Sequence, residues 1–596
     1  MFQNFQVTAR PEQGPPRLNL LRAEMQAAGL DGFLVPRADA HQGEYVAERD
    51  ARLAWLTGFT GSAGFCAVLR DIAGVFIDGR YRTQVKSQVA DVYTPVPWPE
   101  TGLADWLKQQ MPDGGRVGFD PWLHTVAETQ RWRDALAGTG VDMVQSANLV
   151  DRIWDDQPAP PMAPAKPHPM EFAGETATDK CARLAAELRN AGHRAAVLTQ
   201  PDSIMWLLNM RGADIPRNPV AHGFAVLHDD ARVDLYMAAQ KLTGLEDHLG
   251  SAVGTDEPDR FLDALAGLTG PVRIDRATTP QKIADALGDR AVLADDPCAL
   301  PKARKNPAEI AGSAAAHLRD GAAMVEFLAW LDQQPPDSVT EIEVVTRLEE
   351  YRRRDTALQD ISFETIAGTG PNGAIIHYRV SEDSDSTLRD GHLLVLDSGG
   401  QYLDGTTDIT RTIAIGQVGE QERTAFTRVL KGMIDISRLR WPRGLAGRDI
   451  EAVGRVPLWL AGQDFNHGLG HGVGAYLSVH EGPQRLSRLS SVPLEPGMIL
   501  SNEPGYYREG AFGIRIENLI VAQEAPRLPD ADQEREMLDW RTLTYVPIDK
   551  RLIVPDMLST DQRRWLNDYH AEVRKKIAPR VGKVANLWLD SVTTPL

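Results

Sequence analysis

Four carboxylates and one imidazole in the second half of the chain form an ordered set that any fold of this protein must accommodate. They are Asp397, Asp408, His471, Glu503 and Glu517, and they lie in the phrases LVLDSGG, TTDITRT, HGLGHGVG, SNEPGYY and GIRIENL. Carboxylates at close range strongly disfavour joint ionisation, so they share a small volume only when cations compensate their charge. The set therefore predicts a site for two divalent metal ions.

Taken one at a time, these residues have ordinary interpretations. A lone Asp at a strand end usually forms a turn, and a lone His in a glycine-rich phrase is usually solvated. Glu517 differs, because it interrupts an apolar, strand-like run in which a carboxylate is costly unless it is paired or metal-bound. Hard oxygen ligands with one imidazole suit Mn, Co, Fe or Zn. As a group, the residues predict a two-metal hydrolase.

The spacing of the carboxylates indicates how a fold would assemble them. Asp397 ends one strand-like segment and Asp408 begins the next, with turn-forming residues between them. Glu503 and Glu517 repeat this arrangement. We expect paired strands to bring the carboxylates of each pair to one face.

Competing motifs are weaker. His467 and His471 have the spacing of zinc-binding HExxH helices, but the glycines between them make a poor helix and the Glu is missing. Residues 368–373 match GxGxxG, yet a short strand-like segment rather than a long helix follows, so we expect a loop and no dinucleotide site. The sequence contains no GxSxG elbow and no GxxxxGK[ST] phosphate loop.

Charge and cysteine content narrow the class of protein. The formal net charge of −18 argues against nucleic acid or an anionic membrane as a partner. The N-terminus lacks the pattern of a signal peptide, and no stretch reaches the roughly 18 apolar residues of a membrane span. Cys66, Cys181 and Cys298 are widely spaced, which indicates buried free thiols rather than a disulfide set or zinc site. We expect a soluble cytoplasmic protein.

Two similar segments precede the acidic set. Six prolines between Pro158 and Pro169 predict a semi-rigid linker. On each side of it, an apolar run is followed by a Trp-Leu phrase and two further strand-like runs, and Trp55 and Trp206 occupy corresponding places 151 residues apart. This period favours two related α/β domains over chance recurrence of a common strand pattern.

A third, α+β domain is expected after a boundary near Pro307, which suits the first turn of a helix. Thr340 and Glu343 form a capping pattern for the next helix, and a final capped helix is expected near 559–576. Pro457 should kink or restart a helix. The predicted division is 1–157, a linker at 158–169, 170–305, and 306–596 including a C-terminal extension.

These phrases together resemble the aminopeptidase P branch of the metallopeptidases with the pita-bread fold. HGLGHGVG, VHEGP, EPGYY and FGIRIEN carry the resemblance around the acidic set, and WLTGFTGSAG, FIDGRYRTQ and NMRGADIPRNPV extend it to the long, three-domain type. The resemblance implies two creatinase-like N-terminal α/β domains followed by a pita-bread catalytic domain, within the α/β and α+β classes.

The resemblance also implies roles for the five residues. Asp397 would be a terminal ligand of one metal, and His471 and Glu503 would bind the other. Asp408 and Glu517 would bridge both ions. Manganese is the expected metal, with zinc or cobalt as alternatives.

Further residues match positions on the substrate side of the family's site. They are His377, His467 and His480, expected to take part in substrate binding and catalysis, and Arg515, which would hold a carboxylate or contact the substrate. Glu503 would carry the proton between the nucleophile and the leaving nitrogen. Because Arg515 and Glu517 are two residues apart, we expect them on the same face of one strand.

The activity that the resemblance implies is hydrolysis of the N-terminal Xaa-Pro bond of peptides by a hydroxide that bridges the two metals. The expected partners are peptides with proline at the second position, and a second copy of the chain in a homodimer. One alternative is a prolidase, which accepts dipeptides. Another is a pita-bread module that binds peptides or proteins without catalysis, which retention of all five ligands disfavours.

Overall fold

A computed structural model describes residues 1–532 and 534–596, and these divide into two compact units. The N-terminal unit comprises Thr8–Met170 and Glu175–Ala299, and the C-terminal unit comprises Met1–Val7, Glu171–Gly174 and Leu300–Leu596. The first seven residues of the chain thus group with the C-terminal unit. The three predicted domain boundaries stay a prediction.

The first half of the N-terminal unit is built on a six-stranded sheet. In spatial order its strands are Thr94–Pro97, Ala73–Ile77, Phe65–Leu69, Gly32–Pro36, Gly115–Phe119 and Val141–Gln145. Its helices are Gly14–Ala27, Arg52–Thr57, Val85–Gln88, Leu103–Gln110 and Val126–Leu136. Phe33 and Val35 pack into one hydrophobic cluster and Leu34 into another, as expected for a strand that is buried on both faces.

The second half of the unit repeats this architecture. Its strands, in spatial order, are Val253–Asp256, Val233–Tyr236, Phe224–His228, Ala195–Leu198, Val272–Ile274 and Ala291–Leu293. Its helices are Ala177–Asn190, Pro201–Leu207, Glu246–Leu249, Phe261–Gly267 and Gln281–Leu287.

The two sheets share one topology, which confirms the predicted duplication. In each, the first strand along the chain pairs antiparallel with the second and parallel with the strand on its other side. Trp55 and Trp206 lie on equivalent helices, between the first two long strands of each repeat. The segment from Pro158 to Ala165 forms no helix or strand, and Lys166–Pro167 pairs with Met210–Arg211.

The described residues of the C-terminal unit form four sheets. A six-stranded sheet has the spatial order Trp441–Pro442, Met537–Thr542, Asn518–Glu524, Ile499–Asn502, Gly470–Gly472 and Glu481–Leu486. The smaller sheets are Ile366–Thr369 with Leu393–Ser398 and Ile409–Ala414, then Leu358–Ile361 with Gly400–Tyr402 and Gly405–Thr406, and Gly505–Arg508 with Phe512–Arg515.

Long helices pack around these sheets. They are Pro307–Leu331, Glu341–Arg352, Glu420–Ser437, Gly447–Trp459, Thr560–Ile577 and Lys583–Val592, with a short helix at Ala299–Ala303. Asn306 and Thr340 cap the first two through capping boxes, as the sequence predicts for Thr340. Pro457 lies in the last turn of a helix that runs on to Trp459. The expected final helix is followed by another, so that part of the prediction was wrong.

The segment GIRIENLIVA differs from the single strand that its pattern indicates. One strand ends at Arg515, which pairs with Gly505, and a second begins at Asn518, which pairs with Asn502 in a different sheet. Glu517 lies at this change of sheet, where its backbone N–H donates to the carbonyl of Thr410. Among the described residues, no helix is long and apolar enough to cross a bilayer.

Candidate metal centre

Paired strand ends bring the four carboxylates into one part of the C-terminal unit. Asp397 lies near the end of the Leu393–Ser398 strand, and Asp408 directly precedes the antiparallel neighbour of that strand, with Ser398 opposite Ile409. Glu503 directly follows the Ile499–Asn502 strand and Glu517 directly precedes Asn518–Glu524, with Asn502 opposite Asn518. The predicted use of two strand pairs is therefore confirmed.

Three of the carboxylates are mutually close and buried. Ligand oxygens of Asp397, Asp408 and Glu517 all lie within 4.8 Å of one another. One oxygen of Glu517 accepts a 2.9 Å hydrogen bond from the hydroxyl of Thr410. Its other oxygen and Oδ1 of Asp397 are buried and have no hydrogen-bond partner in the described part of the chain.

His471 faces this acidic group. Its Nδ1 lies 2.9 Å from the carbonyl oxygen of Gly472, so Nδ1 is the protonated nitrogen and Nε2 is left as the ligand atom. Nε2 lies 3.5 Å from Oδ2 of Asp408 and 3.5 Å from Oε1 of Glu503. The ring of His480 packs against that of His471 with centroids 4.3 Å apart.

Ser501 connects His471 to Glu503. Its hydroxyl accepts a 2.9 Å hydrogen bond from the backbone N–H of His471 and donates one of 3.2 Å to Oε1 of Glu503. One side chain thus holds both the backbone of His471 and the carboxylate of Glu503.

Arg515 is a buried cation that contacts a proposed metal ligand directly. Its Nη2 donates a 2.7 Å hydrogen bond to Oδ2 of Asp397, and its Nη1 donates one of 2.7 Å to the hydroxyl of Tyr507. The same hydroxyl lies 2.9 Å from Nε2 of His467, and burial raises the pKa of Tyr507 to about 12. Arg515 reaches the site although the strand breaks before Glu517, so our argument from a shared strand face was wrong.

The electrostatics of the site show why it requires cations. Burial, and then the charges of Glu517, Asp397 and Glu503, raise the pKa of Asp408 well above its ordinary value. Burial, and then the charges of Glu503 and Asp397, do the same for Glu517. Without compensating positive charge, these groups therefore resist ionisation together.

Of the expected substrate-side histidines, His480 lies beside this group, His467 contacts Tyr507, and His377 is next in sequence to a residue that Arg515 contacts. His467 is tied to Tyr507, and His480 has a ring nitrogen within 4.8 Å of ligand atoms of Asp408 and His471. His377 follows Ile376, whose carbonyl accepts a 3.3 Å hydrogen bond from Nη1 of Arg515.

Comparison with known proteins identifies the family. The model of metallopeptidase family M24 matches residues 312–524, two creatinase/prolidase N-terminal domain models match 17–153 and 156–309, and a model of the peptidase M24 C-terminal region matches 536–596. Aminopeptidase P2 of Arabidopsis thaliana is 37% identical, with 95% of this chain and 86% of that protein covered. A probable Xaa-Pro aminopeptidase P of Talaromyces marneffei is 38% identical, with 97% and 92% covered.

This chain belongs to the aminopeptidase P group of metallopeptidase family M24. A solved structure agrees with that assignment: X-prolyl aminopeptidase of Caenorhabditis elegans, described as a cytosolic enzyme with a dinuclear active site. It superimposes with a TM-score of 0.93 at 31% identity, and the match covers 98% of this chain and all of that one. The expected fold, two creatinase-like domains followed by a family M24 catalytic domain, is confirmed.

The donor set of this family member fits divalent cations. Oδ1 of Asp397 and Oε1 of Glu517 are buried carboxylate oxygens for which the described residues supply no hydrogen bond, and such oxygens are costly unless a cation meets them. Hard carboxylate oxygens with one neutral imidazole nitrogen are a suitable ligand set for Mn, Fe, Co or Zn.

Sequence reasoning gave no role to three residues that orient the site. They are Thr410, Ser501 and Tyr507, which bond Glu517, Glu503 and Arg515 respectively. Each lies inside a phrase that the sequence singles out, but a hydroxyl has no distinctive spacing. Only the fold shows which carboxylate or cation it meets.

Proposed function

We propose that this chain is a metal-dependent aminopeptidase that hydrolyses the bond between the N-terminal residue of a peptide and a following proline. The observation that carries the proposal is the buried convergence of Asp397, Asp408 and Glu517, with His471 and Glu503 at its edge. Near full-length similarity to Xaa-Pro aminopeptidases supports the substrate class.

Asp397, Asp408, His471, Glu503 and Glu517 would hold two divalent cations, with manganese as the proposed metal. Ligand atoms of Asp408 lie close to those of Asp397 and Glu517 on one side and to those of His471 and His480 on the other. This supports a bridging position for Asp408, and we propose the same for Glu517. When bound, the cations supply Lewis acidity, which acidifies a water molecule and polarises a peptide carbonyl. His480 is near enough to Asp408 to be a ligand by distance alone, but we propose that it acts on the substrate.

The residues of the chain supply positions and protons. Hydrolysis adds OH to the carbonyl carbon, breaks the C–N bond and places a proton on the proline nitrogen, and we propose that a carboxylate oxygen of Glu503 carries that proton. His377 and His480 would donate hydrogen bonds to substrate oxygens. Tyr507 fixes the ring of His467, which would contact the substrate.

Proline recognition must depend on shape, because the imide nitrogen has no N–H to donate. The main competing activity is that of a prolidase, which accepts dipeptides. Similarity to aminopeptidases P over at least 95% of this chain favours the longer substrates. A binding module without catalysis is disfavoured, because all five proposed ligands are present and clustered.

A peptide panel tests the proposal. Purified enzyme with Mn²⁺ is incubated with Xaa-Pro-Yaa, longer Xaa-Pro peptides, Xaa-Pro dipeptides and Xaa-Ala-Yaa controls, and mass spectrometry follows the products. We expect release of the N-terminal residue from the tripeptide and longer Xaa-Pro peptides, with Xaa-Ala-Yaa left largely intact. Cleavage of dipeptides alone would show that the enzyme is a prolidase and not an aminopeptidase.

We also propose a homodimer located in the cytoplasm. An exposed apolar patch on the C-terminal unit supports dimerisation: Val456, Trp459, Leu460 and Leu489 are exposed, and the guanidinium of Arg488 lies 5.5 Å from the Trp459 ring. Leu460→Glu should shift the molar mass measured by light scattering from two chains to one. The cytosolic description of the worm enzyme supports the location.

A further inference from the structure

Glu341 is a buried carboxylate that lies outside the candidate metal centre. It is the first residue of the helix Glu341–Arg352 and is 0% exposed. It does not cap this helix, because Thr340 and Glu343 form the capping box with each other. A carboxylate buried to this degree needs hydrogen-bond donors. The residues that donate to it show which part of the chain it holds in place.

All the described donors to Glu341 come from one segment, residues 369–386. They are the backbone N–H of Thr369 at 2.7 Å, the hydroxyl of Tyr378 at 2.8 Å, the amide of Asn372 at 3.1 Å and the backbone N–H of Ser386 at 3.2 Å. Each bond is charge-assisted when Glu341 is ionised, which strengthens it. One side chain thus ties together the two ends and the middle of the segment.

The other side of this segment is fixed to the metal centre. The carbonyl oxygen of Ile376 accepts a 3.3 Å hydrogen bond from Nη1 of Arg515. Gly373 lies so close to Gly513 that a Cβ on Gly513 would be 1.6 Å from the Gly373 carbonyl oxygen. The backbone before residue 377 therefore touches the strand that carries Arg515.

His377 lies between these two attachments. The residue before it, Ile376, is held by Arg515, and the residue after it, Tyr378, is held by Glu341. Each attachment restrains the backbone on one side of His377, so loss of either weakens the restraint on that side. A histidine that contacts substrate requires a fixed position, because a displacement of about 1 Å costs on the order of 100-fold in rate.

We infer that Glu341 is a positioning residue, which holds residues 369–386 so that His377 keeps its place beside the metal centre. The inference rests on the proposed function, because His377 matters there as a contact to the peptide. Glu341 itself touches neither substrate nor metal.

Glu341→Gln keeps the size of the side chain but replaces an acceptor oxygen by an NH₂ group that faces donors. We expect kcat/KM for an Xaa-Pro-Yaa peptide to fall about 10- to 100-fold, as for other residues that orient an active-site group. Metal content should stay at the wild-type value. Tyr378→Phe removes one of the four donors to Glu341, together with the contacts of that hydroxyl to Asn372 and Ser384. It serves as a second variant, with a smaller loss, should the first fail to fold.

Glu349→Gln is the matched control. Glu349 lies on the same helix, is 3% exposed and accepts backbone N–H bonds from Phe2 and Gln3 rather than from residues 369–386. We expect its kcat/KM to remain within about 2-fold of the wild type, and hydrogen exchange over 369–386 to accelerate in Glu341→Gln but not in Glu349→Gln.

A double-mutant cycle with His377→Ala decides between positioning and general structural damage. If Glu341 acts through His377, Glu341→Gln lowers kcat/KM by less than about 3-fold further in the His377→Ala background. If the two residues act independently, their losses in kcat/KM multiply. Multiplicative losses, or unchanged exchange over 369–386, would overturn the inference. If the wild-type enzyme itself leaves Xaa-Pro bonds intact, the proposed function fails, and hydrogen exchange still shows whether Glu341 holds the segment.

Discussion

Arg515 holds Asp397 through a 2.7 Å hydrogen bond from Nη2 to Oδ2, while Oδ1 of the same carboxylate is buried without a hydrogen-bond partner among residues 1–532 and 534–596. One oxygen is thus fixed by the protein and the other is left for a cation. The same guanidinium reaches Tyr507 and the carbonyl of Ile376, so it connects the proposed ligands to the substrate side.

Replacing Arg515 with Gln should weaken metal binding. The variant loses the bond that orients Asp397, and the guanidinium no longer lowers the pKa of Asp408 and Glu517. We expect these losses to outweigh the relief of repulsion between Arg515 and the metal, so that Mn²⁺ affinity falls about 10- to 100-fold. Calorimetric titration of Mn²⁺ into chelated protein measures this. Arg508→Gln, an exposed arginine on the same hairpin, is the control and should bind as the wild type does. Wild-type affinity in Arg515→Gln would contradict this role.

Asp408→Asn should abolish both metal binding and activity. Asp408 contributes to both close groups of ligand atoms, so its loss affects both proposed positions at once. Metal analysis and peptide cleavage measure the two effects. Asp404→Asn, in the same hairpin and paired with Arg319, is the matched control and should retain two metals. Full turnover by Asp408→Asn would exclude the proposed ligand set.

Chelation should destabilise the enzyme, and more so at higher pH. Burial and neighbouring carboxylates raise the pKa of Asp408 and Glu517, so the metal-free folded state holds protons that the unfolded state releases. Its stability is greatest below the ordinary carboxyl pKa and falls as pH rises towards the raised values. Bound cations remove this penalty. The difference in Tm between Mn²⁺-loaded and chelated protein, measured by calorimetry, should widen from about pH 6 to about pH 8. A constant difference would argue against buried, mutually repelling carboxylates.

His570 should contribute to acid destabilisation. It is 0% exposed, its Nε2 accepts a 3.1 Å bond from the N–H of Ile548, and burial lowers its pKa to about 3. Stability from the neutral ring is complete above the ordinary pKa of histidine and is lost as pH falls towards the lowered value. Between about pH 7.5 and 5.5 this amounts to about 1 kcal/mol. In His570→Gln, the decrease in the free energy of unfolding between these pH values, measured with denaturant, should be smaller by that amount. An unchanged dependence of this free energy on pH would assign the decrease to other groups.

The sequence predicts part of this site because its signals are local. Turn residues between Asp397 and Asp408 indicate a strand pair, and a carboxylate at position 517 in an apolar run indicates a ligand. The break in the strand between Arg515 and Asn518 is not visible in that run, because the change of sheet depends on which strands Gly505 and Asn502 provide as partners. Tertiary pairing overrides the local strand pattern here.

Glu341 illustrates what the sequence leaves open. In the chain it is an acidic residue in the first turn of a capped helix, a position that favours carboxylates for local reasons. Its role emerges only when the fold places Thr369, Asn372 and Tyr378 around it. The duplication of the N-terminal domains could be predicted, because a repeated order of strands and a Trp-Leu phrase recurs within the sequence itself.

The most direct test of the account is a metal titration of chelated enzyme with an Xaa-Pro-Yaa peptide as substrate. Mn²⁺ is added back in steps, bound metal is measured by atomic spectroscopy, and release of the N-terminal residue is followed by mass spectrometry. The account predicts that activity returns as the chain binds two ions, with free Xaa and Pro-Yaa as the products. Full metal loading without cleavage of the Xaa-Pro bond, or full activity in protein free of metal, would contradict it.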